Sequence, residues 1–302
     1  MSFESFEIDP VYDGERLDKF LAVIYPSQSR TFFQKLIKEE HVLVNEQCEK
    51  ANYRLHIRDI VQVEIPAAVP VAILPEDIPL DILYEDDDLL IINKPKGMVV
   101  HPCPGHYTGT LVNAVMFHCK DNLSGINGEI RPGIVHRIDK DTTGSLIVCK
   151  NDSCHKKIAE QIKEHSVTRR YRGIVSGTVK EQSGRIEGAI GRHPSDRKKM
   201  AINEKNGKPA VTHYRVLKTY QNATYMEFEL ETGRTHQIRV HLASIGHPLL
   251  GDQLYGPEKN PYHLEGQTLH AMTIGLIHPR TGEYLEVSAP LPSYFEKLLL
   301  KL

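Results

Sequence analysis

Apolar positions recur at helical spacing twice near the start of the chain. Leu17, Phe20 and Leu21 share one face of ERLDKFLAVIY, and Phe33, Leu36 and Ile37 share one face of the segment that follows PSQS. Ser27 or Ser29 is placed to cap the second helix. HVLVN and DIVQVEI are short apolar or alternating runs, which predict strands. Two short helices and a few strands make residues 1–65 a small module. PAAVPVAILPEDIP follows; repeated proline forbids a continuous helix or a central strand, so residues 66–81 are expected to be an extended linker.

From residue 82 to 302 strand and helix patterns mix. DDLLIINKP predicts a buried strand, TLVNAVMFHC a helix, SLIVCK a strand, and SCHKKIAEQIKEH a helix with Ile158 and Ile162 four apart. YRGIVSG, VTHYRVLKTY, ATYMEFELET and LHAMTIGLIHP carry the β-branched and aromatic residues of strands, whereas RTHQIRVHLASIG predicts a helix ended by glycine. Several neighbouring strands have no helix between them. The expected fold is therefore α+β, with a mixed, mainly antiparallel sheet rather than a doubly wound parallel one.

One segment breaks the pattern. In GIVHRIDKDTTGSLIV, residues 133–148, two strand-like apolar runs flank His136, Arg137, Asp139, Lys140 and Asp141. Either this is a solvated hairpin end or the loop presents a carboxylate. Charge helps to decide. The net charge of −2 argues against a nucleic-acid partner, but its distribution reverses that inference: residues 131–218 hold 20 Lys plus Arg against 9 Asp plus Glu. That block is the electrostatic footprint of a phosphate-backbone binder. Three islands within or beside it repeat the theme. RRYRGIVSG sets Tyr171 among arginines, GRHPSDRKKMAI adds a proline-containing basic loop, and ETGRTHQIRVHLA gathers Arg234, His236, Arg239 and His241. An aromatic ring beside guanidinium groups suits an unstacked base against its phosphates.

Other chemistries find less support. There is no Walker loop and no dinucleotide fingerprint. HPCPGH lacks a second pair of zinc ligands and is expected to be a turn-rich loop. Asp139-Lys140-Asp141-Thr142-Thr143 matches the Asp-x-Asp-x-Thr of aspartate-nucleophile phosphatases, but His136 and Arg137 interrupt the strand that should precede it, and Asp252 stands alone as a downstream acid. A non-enzymatic RNA-binding or ribosome-assembly protein remains a rival on charge alone. No apolar run reaches the roughly 18 residues of a membrane span. MSFESFEIDP carries no signal-peptide pattern, and five irregularly spaced cysteines fit a reducing compartment, so a cytoplasmic protein without a membrane partner is expected.

HRIDKDTTG resembles the motif that carries the catalytic aspartate of the RluA-type pseudouridine synthases, particularly the RluD-like branch acting on large-subunit ribosomal RNA. DDLLIINKPKGMVVHP, YRGIVSG, RHPSDRKKM, GKPAVTHYRV, TGRTHQIRVHLA and LHA resemble further blocks of that family in the same order, from about Tyr84 to Pro290. Ile138 and Ser145 stand where leucine is commoner. RLDKFLA, SRTFFQKLIKEEHVLVN and the strand near Asp59 resemble the small RNA-binding module named after ribosomal protein S-four, with Glu40, and Glu46 after Asn45, where glycines are usual.

The resemblance implies an RNA pseudouridine synthase that needs no cofactor and no metal. It makes Asp139 the catalytic carboxylate, pairs Arg234 with it, stacks Tyr171 on the uracil, sends Arg137 into the RNA stack and sets Leu269 in the apolar pocket wall. It also places His136, Arg192, His193, Lys198 and Lys199 on the substrate. The implied partner is RNA, in large-subunit ribosomal RNA or an assembling subunit, and a monomer is expected.

Overall fold

The computed structural model describes residues 3–66, 73–103, 105–120, 122–126 and 132–302. The chain divides into two compact units, and the boundary falls within residues 67–72, so that part of the proline-rich segment lies outside the described residues.

In the first unit, strands β1 (Glu4–Glu7), β2 (Val42–Val44), β3 (Gln47–Cys48) and β4 (Ile60–Val63) form an antiparallel sheet in the order β1-β4-β2-β3. Helices α1 (Leu17–Ile24) and α2 (Arg30–Lys38) bury Leu17, Phe20, Leu21, Phe33, Leu36 and Ile37 against Val42, Val44, Val61 and Val63. Ser29 caps α2, its hydroxyl accepting the Phe32 N–H at 3.2 Å, which leaves Ser27 without that role. Glu40, Asn45 and Glu46 all adopt left-handed backbone, with φ of 64°, 50° and 66°. The chain thus makes these turns without glycine, at a cost of about 1–2 kcal/mol for each residue that carries a Cβ.

The second unit carries strands β5 (Ile82–Glu85), β6 (Leu89–Lys94), β7 (Thr143–Cys149), β8 (Thr168–Ser176), β9 (Ser183–Glu187), β10 (Ile190–Arg192), β11 (Met200–Ile202), β12 (Val211–Thr219), β13 (Ala223–Leu230), β14 (Leu269–Ile277) and β15 (Tyr284–Ser288). Its helices are α3 (Leu111–Cys119), α4 (Asp152–Lys163), α5 (Gln237–Ser244) and α6 (Ser293–Lys301). A nine-stranded sheet runs β5-β6-β7-β14-β8-β13-β12-β9, with β15 on the second half of β14. Every pairing is antiparallel except β7 with β14. The fold is therefore α+β with a mixed, mainly antiparallel sheet. Residues 73–81 lie against this unit: Ile73 is buried in its core, and Asn113 of α3 donates to Leu74 O at 2.8 Å and accepts from Glu76 N–H at 3.0 Å. No helix among the described residues is long and apolar enough to cross a membrane.

The first apolar run of residues 133–148 does not form a strand. It touches β7 through the single bridge Ile134 to Val148. The reason lies in the sheet order, because β14 pairs with only Thr143 and Gly144 of β7. The inner N–H groups further along β7 take other acceptors: Cys149 N–H finds Gly133 O at 2.8 Å, and Ile147 N–H finds a histidine side chain.

Candidate active site

The charged loop of residues 135–142 sits at the mouth of the parallel β7–β14 pair, where Gly144 has φ of 106° and a Cβ would lie 2.3 Å from Ala271 O. Ile138 is buried in the core, so its neighbours Arg137 and Asp139 face a cavity. The loop is anchored from beneath. Lys94, with no exposed surface, donates to Pro95 O, Met98 O and Lys140 O at 2.8, 2.8 and 2.9 Å, and Gly97 N–H donates to the same Lys140 carbonyl at 3.0 Å. Burial brings the Lys94 ammonium down to about 7, opposed by Asp141 and Asp139. Three carbonyl acceptors nevertheless ask for the three donors of the charged form. Asp139 O closes the loop by accepting Thr142 N–H at 3.1 Å.

The arginine that holds Asp139 is Arg239, not Arg234. Arg239 lies in the first turn of α5 and donates from Nη1 to Asp139 Oδ2 at 2.9 Å, while Nε and Nη2 grip Asp252 Oδ2 and Oδ1 at 2.7 and 2.8 Å. Its side chain is 6% exposed and that of Asp252 is fully buried. Burial works against the guanidinium charge, but the two carboxylates outweigh it and raise its pKa further. Arg234 precedes the helix in a turn whose backbone is fixed by Gln237: Arg234 N–H donates to Gln237 Oε1 at 3.0 Å. Arg234 lines the same cavity, but its Nε is directed to Pro209 O at 3.1 Å. The telling signal in the sequence was Asp252, a lone acid in an apolar setting that needs a cation, and α5 offers one on its buried face.

Tyr171 of β8 and Leu269 at the start of β14 line the cavity beside Asp139, with the exposed Arg137 at its edge. Burial raises the Tyr171 phenol above its ordinary value, and the Asp139 charge adds to that, so the ring is a neutral phenol. His136 is not part of this wall. Its Nε2 accepts the Ile147 N–H at 2.9 Å, replacing a missing strand partner, and burial, followed by Arg169 and His101, pushes its pKa down to about 3. His136 is a neutral structural acceptor rather than a substrate ligand.

His236 was not singled out as a site residue, yet it faces Asp139: Nε2 lies 3.8 Å from Oδ1, and it lines the cavity. Tyr255 stands behind it, its hydroxyl 2.8 Å from His236 Nδ1 and accepting the Met200 N–H at 2.8 Å. That contact ties the site to the β10–β11 hairpin. The predicted basic residues Arg192, His193, Lys198 and Lys199 belong to this hairpin and do not line the Asp139 cavity. His193 uses Nδ1 to accept Ser195 and Asp196 N–H at 3.3 and 3.1 Å, and so organises the turn; Arg192 and Lys198 are exposed. Asp86, Asp88 and His278 form the one group of potential metal ligands found among the described residues. Its carboxylates are occupied by Arg280, Asn151 and backbone N–H groups.

Comparison with known proteins gives the same direction. Residues 88–244 match the family model described as RNA pseudouridylate synthase, and residues 15–61 match the S4 domain. The chain is 51% identical over 286 residues to the uncharacterized RNA pseudouridine synthase YlyB of Bacillus subtilis, covering 95% of this chain and 93% of that one. It is 45% identical over 295 residues to the ribosomal large subunit pseudouridine synthase D of Zymomonas mobilis, covering 94% and 93%. Among solved structures, human RNA pseudouridylate synthase domain containing 1 aligns with a TM-score of 0.60 at 25% identity, over 75% of this chain and 95% of that one. With more than half its length matched by the family model, this chain belongs to the RNA pseudouridylate synthase family.

Proposed function

We propose that this synthase isomerises specific uridines of large-subunit ribosomal RNA, with Asp139 as its catalytic carboxylate. The observation that carries the reading is the cavity in which Asp139, clamped by the Arg239–Asp252 pair, faces Tyr171 and Leu269. The RNA target rests on relatives such as the large-subunit synthase of Zymomonas mobilis.

The chemistry breaks the N1–C1′ bond of uridine, turns the uracil, and joins C5 to C1′; no net hydrolysis or redox change occurs. A carboxylate serves either by attacking C1′ or by removing a sugar proton to open a glycal route. Both roles need it ionised, and Arg239, which cannot deprotonate, holds one of its oxygens. A stacked base is out of reach and must be flipped, at a cost of a few kcal/mol. Arg137, exposed at the cavity edge, fills the gap left in the stack. Tyr171 stacks on the extruded uracil and returns ~1–3 kcal/mol. The hairpin cations Arg192, Lys198 and Lys199 contact the phosphate backbone.

The test is a pseudouridine map of total RNA from cells with and without the protein, rescued by wild type or by Asp139→Asn. Loss of discrete sites in large-subunit RNA, restored by wild type alone, is the expected result. Restoration by Asp139→Asn would remove the aspartate from the chemistry, and loss confined to another RNA would replace the substrate.

A further inference from the structure

His236 adopts left-handed backbone at the start of α5 and turns its side chain to the Asp139 cavity. Its φ is 58°, in the left-handed region, where a residue with a Cβ is uncommon and glycine or asparagine is at ease. It occupies the N-cap position of α5 but makes no side-chain cap. The strain directs its ring into the cavity instead, where the side chain is 17% exposed.

The hydrogen bonds favour one tautomer of the ring. Tyr255 Oη accepts the Met200 N–H, so its own hydrogen is free to point at His236 Nδ1, 2.8 Å away. With Nδ1 accepting, the neutral imidazole carries its proton on Nε2. The ring is edge-on to Tyr255, with centroids 5.7 Å apart. Burial first, then Arg239 and Arg137, lower its pKa, while Asp139 and Asp252 oppose them, so the neutral ring is favoured. Nε2, the donor nitrogen, lies 3.8 Å from Asp139 Oδ1, too far for a good direct hydrogen bond.

A donor and an acceptor at that separation share a seat to one side of the line that joins them. An oxygen about 2.8 Å from each, roughly 2 Å off that line, meets both, provided that it accepts from one and donates to the other. That requirement is selective. Uracil carbonyls only accept and N3–H only donates, and inside an RNA strand the 3′ and 5′ sugar oxygens are esterified. The one group of the target nucleotide that does both is the ribose 2′-hydroxyl, on the carbon next to C1′. We propose that His236 Nε2–H and Asp139 Oδ1 together hold the 2′-hydroxyl of the target uridine, making His236 the residue by which this site requires ribose. This rests on the reading of Asp139 as the carboxylate that works at C1′. Arg239 keeps the other oxygen of Asp139 occupied, and Tyr255 keeps the donor tautomer in place.

The experiment is a cycle between protein and substrate. Single-turnover rates are measured on a synthetic RNA strand containing one mapped target uridine, and on the same strand with 2′-deoxyuridine at that one position. The enzymes are wild type, His236→Asn and His236→Gln. Asparagine suits the left-handed backbone but is too short to present a donor where Nε2 lies; glutamine reaches it. Wild type and His236→Gln are expected to lose activity on the deoxy strand. His236→Asn is expected to be about tenfold slower on the ribose strand, with a 2′-deoxy penalty about tenfold smaller than that of wild type. Purely multiplicative effects, or equal deoxy penalties in all three proteins, would overturn the assignment. Wild-type turnover of the ribose strand and its loss in Asp139→Asn are read in the same series. A failure of the underlying reading therefore shows there, apart from the cycle.

Discussion

Arg239 joins two carboxylates through one guanidinium, and nothing else among the described side chains pairs with Asp252. Removing it leaves the fully buried Asp252 carboxylate with only the Leu254 and Tyr255 N–H groups as partners and releases Asp139. Arg239→Met is expected to lower kcat by about a hundredfold or more and to destabilise the fold by roughly 3–5 kcal/mol. Lysine should rescue little of this, since one ammonium cannot serve both carboxylates in the fork geometry. Arg234→Met removes only a cation at the cavity wall, so about a tenfold rise in KM with little change in melting is expected. Steady-state kinetics and denaturant melts of both variants separate the two, and the reverse ranking would exclude the observed pairing from function. The sequence made Asp139, Tyr171, Arg137 and Leu269 legible because each falls inside a distinctive motif. It did not separate Arg234 from Arg239, five positions apart in one motif, because which of them faces inward depends on where α5 begins. That start is set by His236 in its left-handed conformation and by the Gln237 side chain, neither of which a periodicity detects.

The loop is delivered by β7, and β7 reaches the site only because β14 approaches it closely at Gly144. A Cβ there would meet Ala271 O at 2.3 Å with the backbone already at φ of 106°, so both the space and the conformation demand glycine. Next to it, Ser145 donates to Ala271 O at 2.9 Å, a hydrogen bond that the commoner leucine at this position could not make. Gly144→Ala is expected to destabilise by about 2–4 kcal/mol and to lower Tm by roughly 5–15 °C. Turnover should fall in the same variant at temperatures where it is still folded, because the Asp139 loop and Leu269 both spring from this junction. Calorimetry alongside single-turnover rates checks both; an unchanged Tm would show that the sheet opens easily there. Helices α1 and α2 were readable from apolar spacing, since each buries one continuous face, and strand β6 from its unbroken apolar run, since both its faces are buried. The stretch before Asp139 was misread as a strand for a physical reason. Its apolar residues do enter the core, but β7 meets it through one bridge and the His136 ring, so its burial owes nothing to a ladder.

Each of the two units carries its own buried or half-buried carboxylate knot, and this gives the whole molecule a defined response to acid. In the first, Asp18 has a fully buried side chain that accepts from Arg16, Arg30 and Gln34. Burial alone would raise its pKa, but those donors outweigh it and hold the carboxyl far below its usual range. In the second, Asp86 is likewise raised by burial but brought down to about 2 by the N–H groups of Leu89 and Asp88, the Tyr84 hydroxyl and His278. The sign follows from linkage. A carboxyl whose folded pKa is depressed stabilises the fold above its unfolded pKa, near 4, and that contribution is lost as pH falls toward the folded value. Stability is therefore expected to change little, on account of these groups, between pH 7 and about pH 5, and to fall between roughly pH 4 and pH 2. Asp86 alone contributes about 1–2 kcal/mol to that loss once solvent screening is allowed for. Asp86→Asn should flatten the acid limb of the second unit and Asp18→Asn that of the first, each at the expense of stability at pH 7. Urea melts of the full chain across pH 2–7, followed by hydrogen exchange in each unit, resolve the two limbs. If either variant retained the wild-type acid slope in its own unit, that carboxylate would not be what holds the unit together at neutral pH.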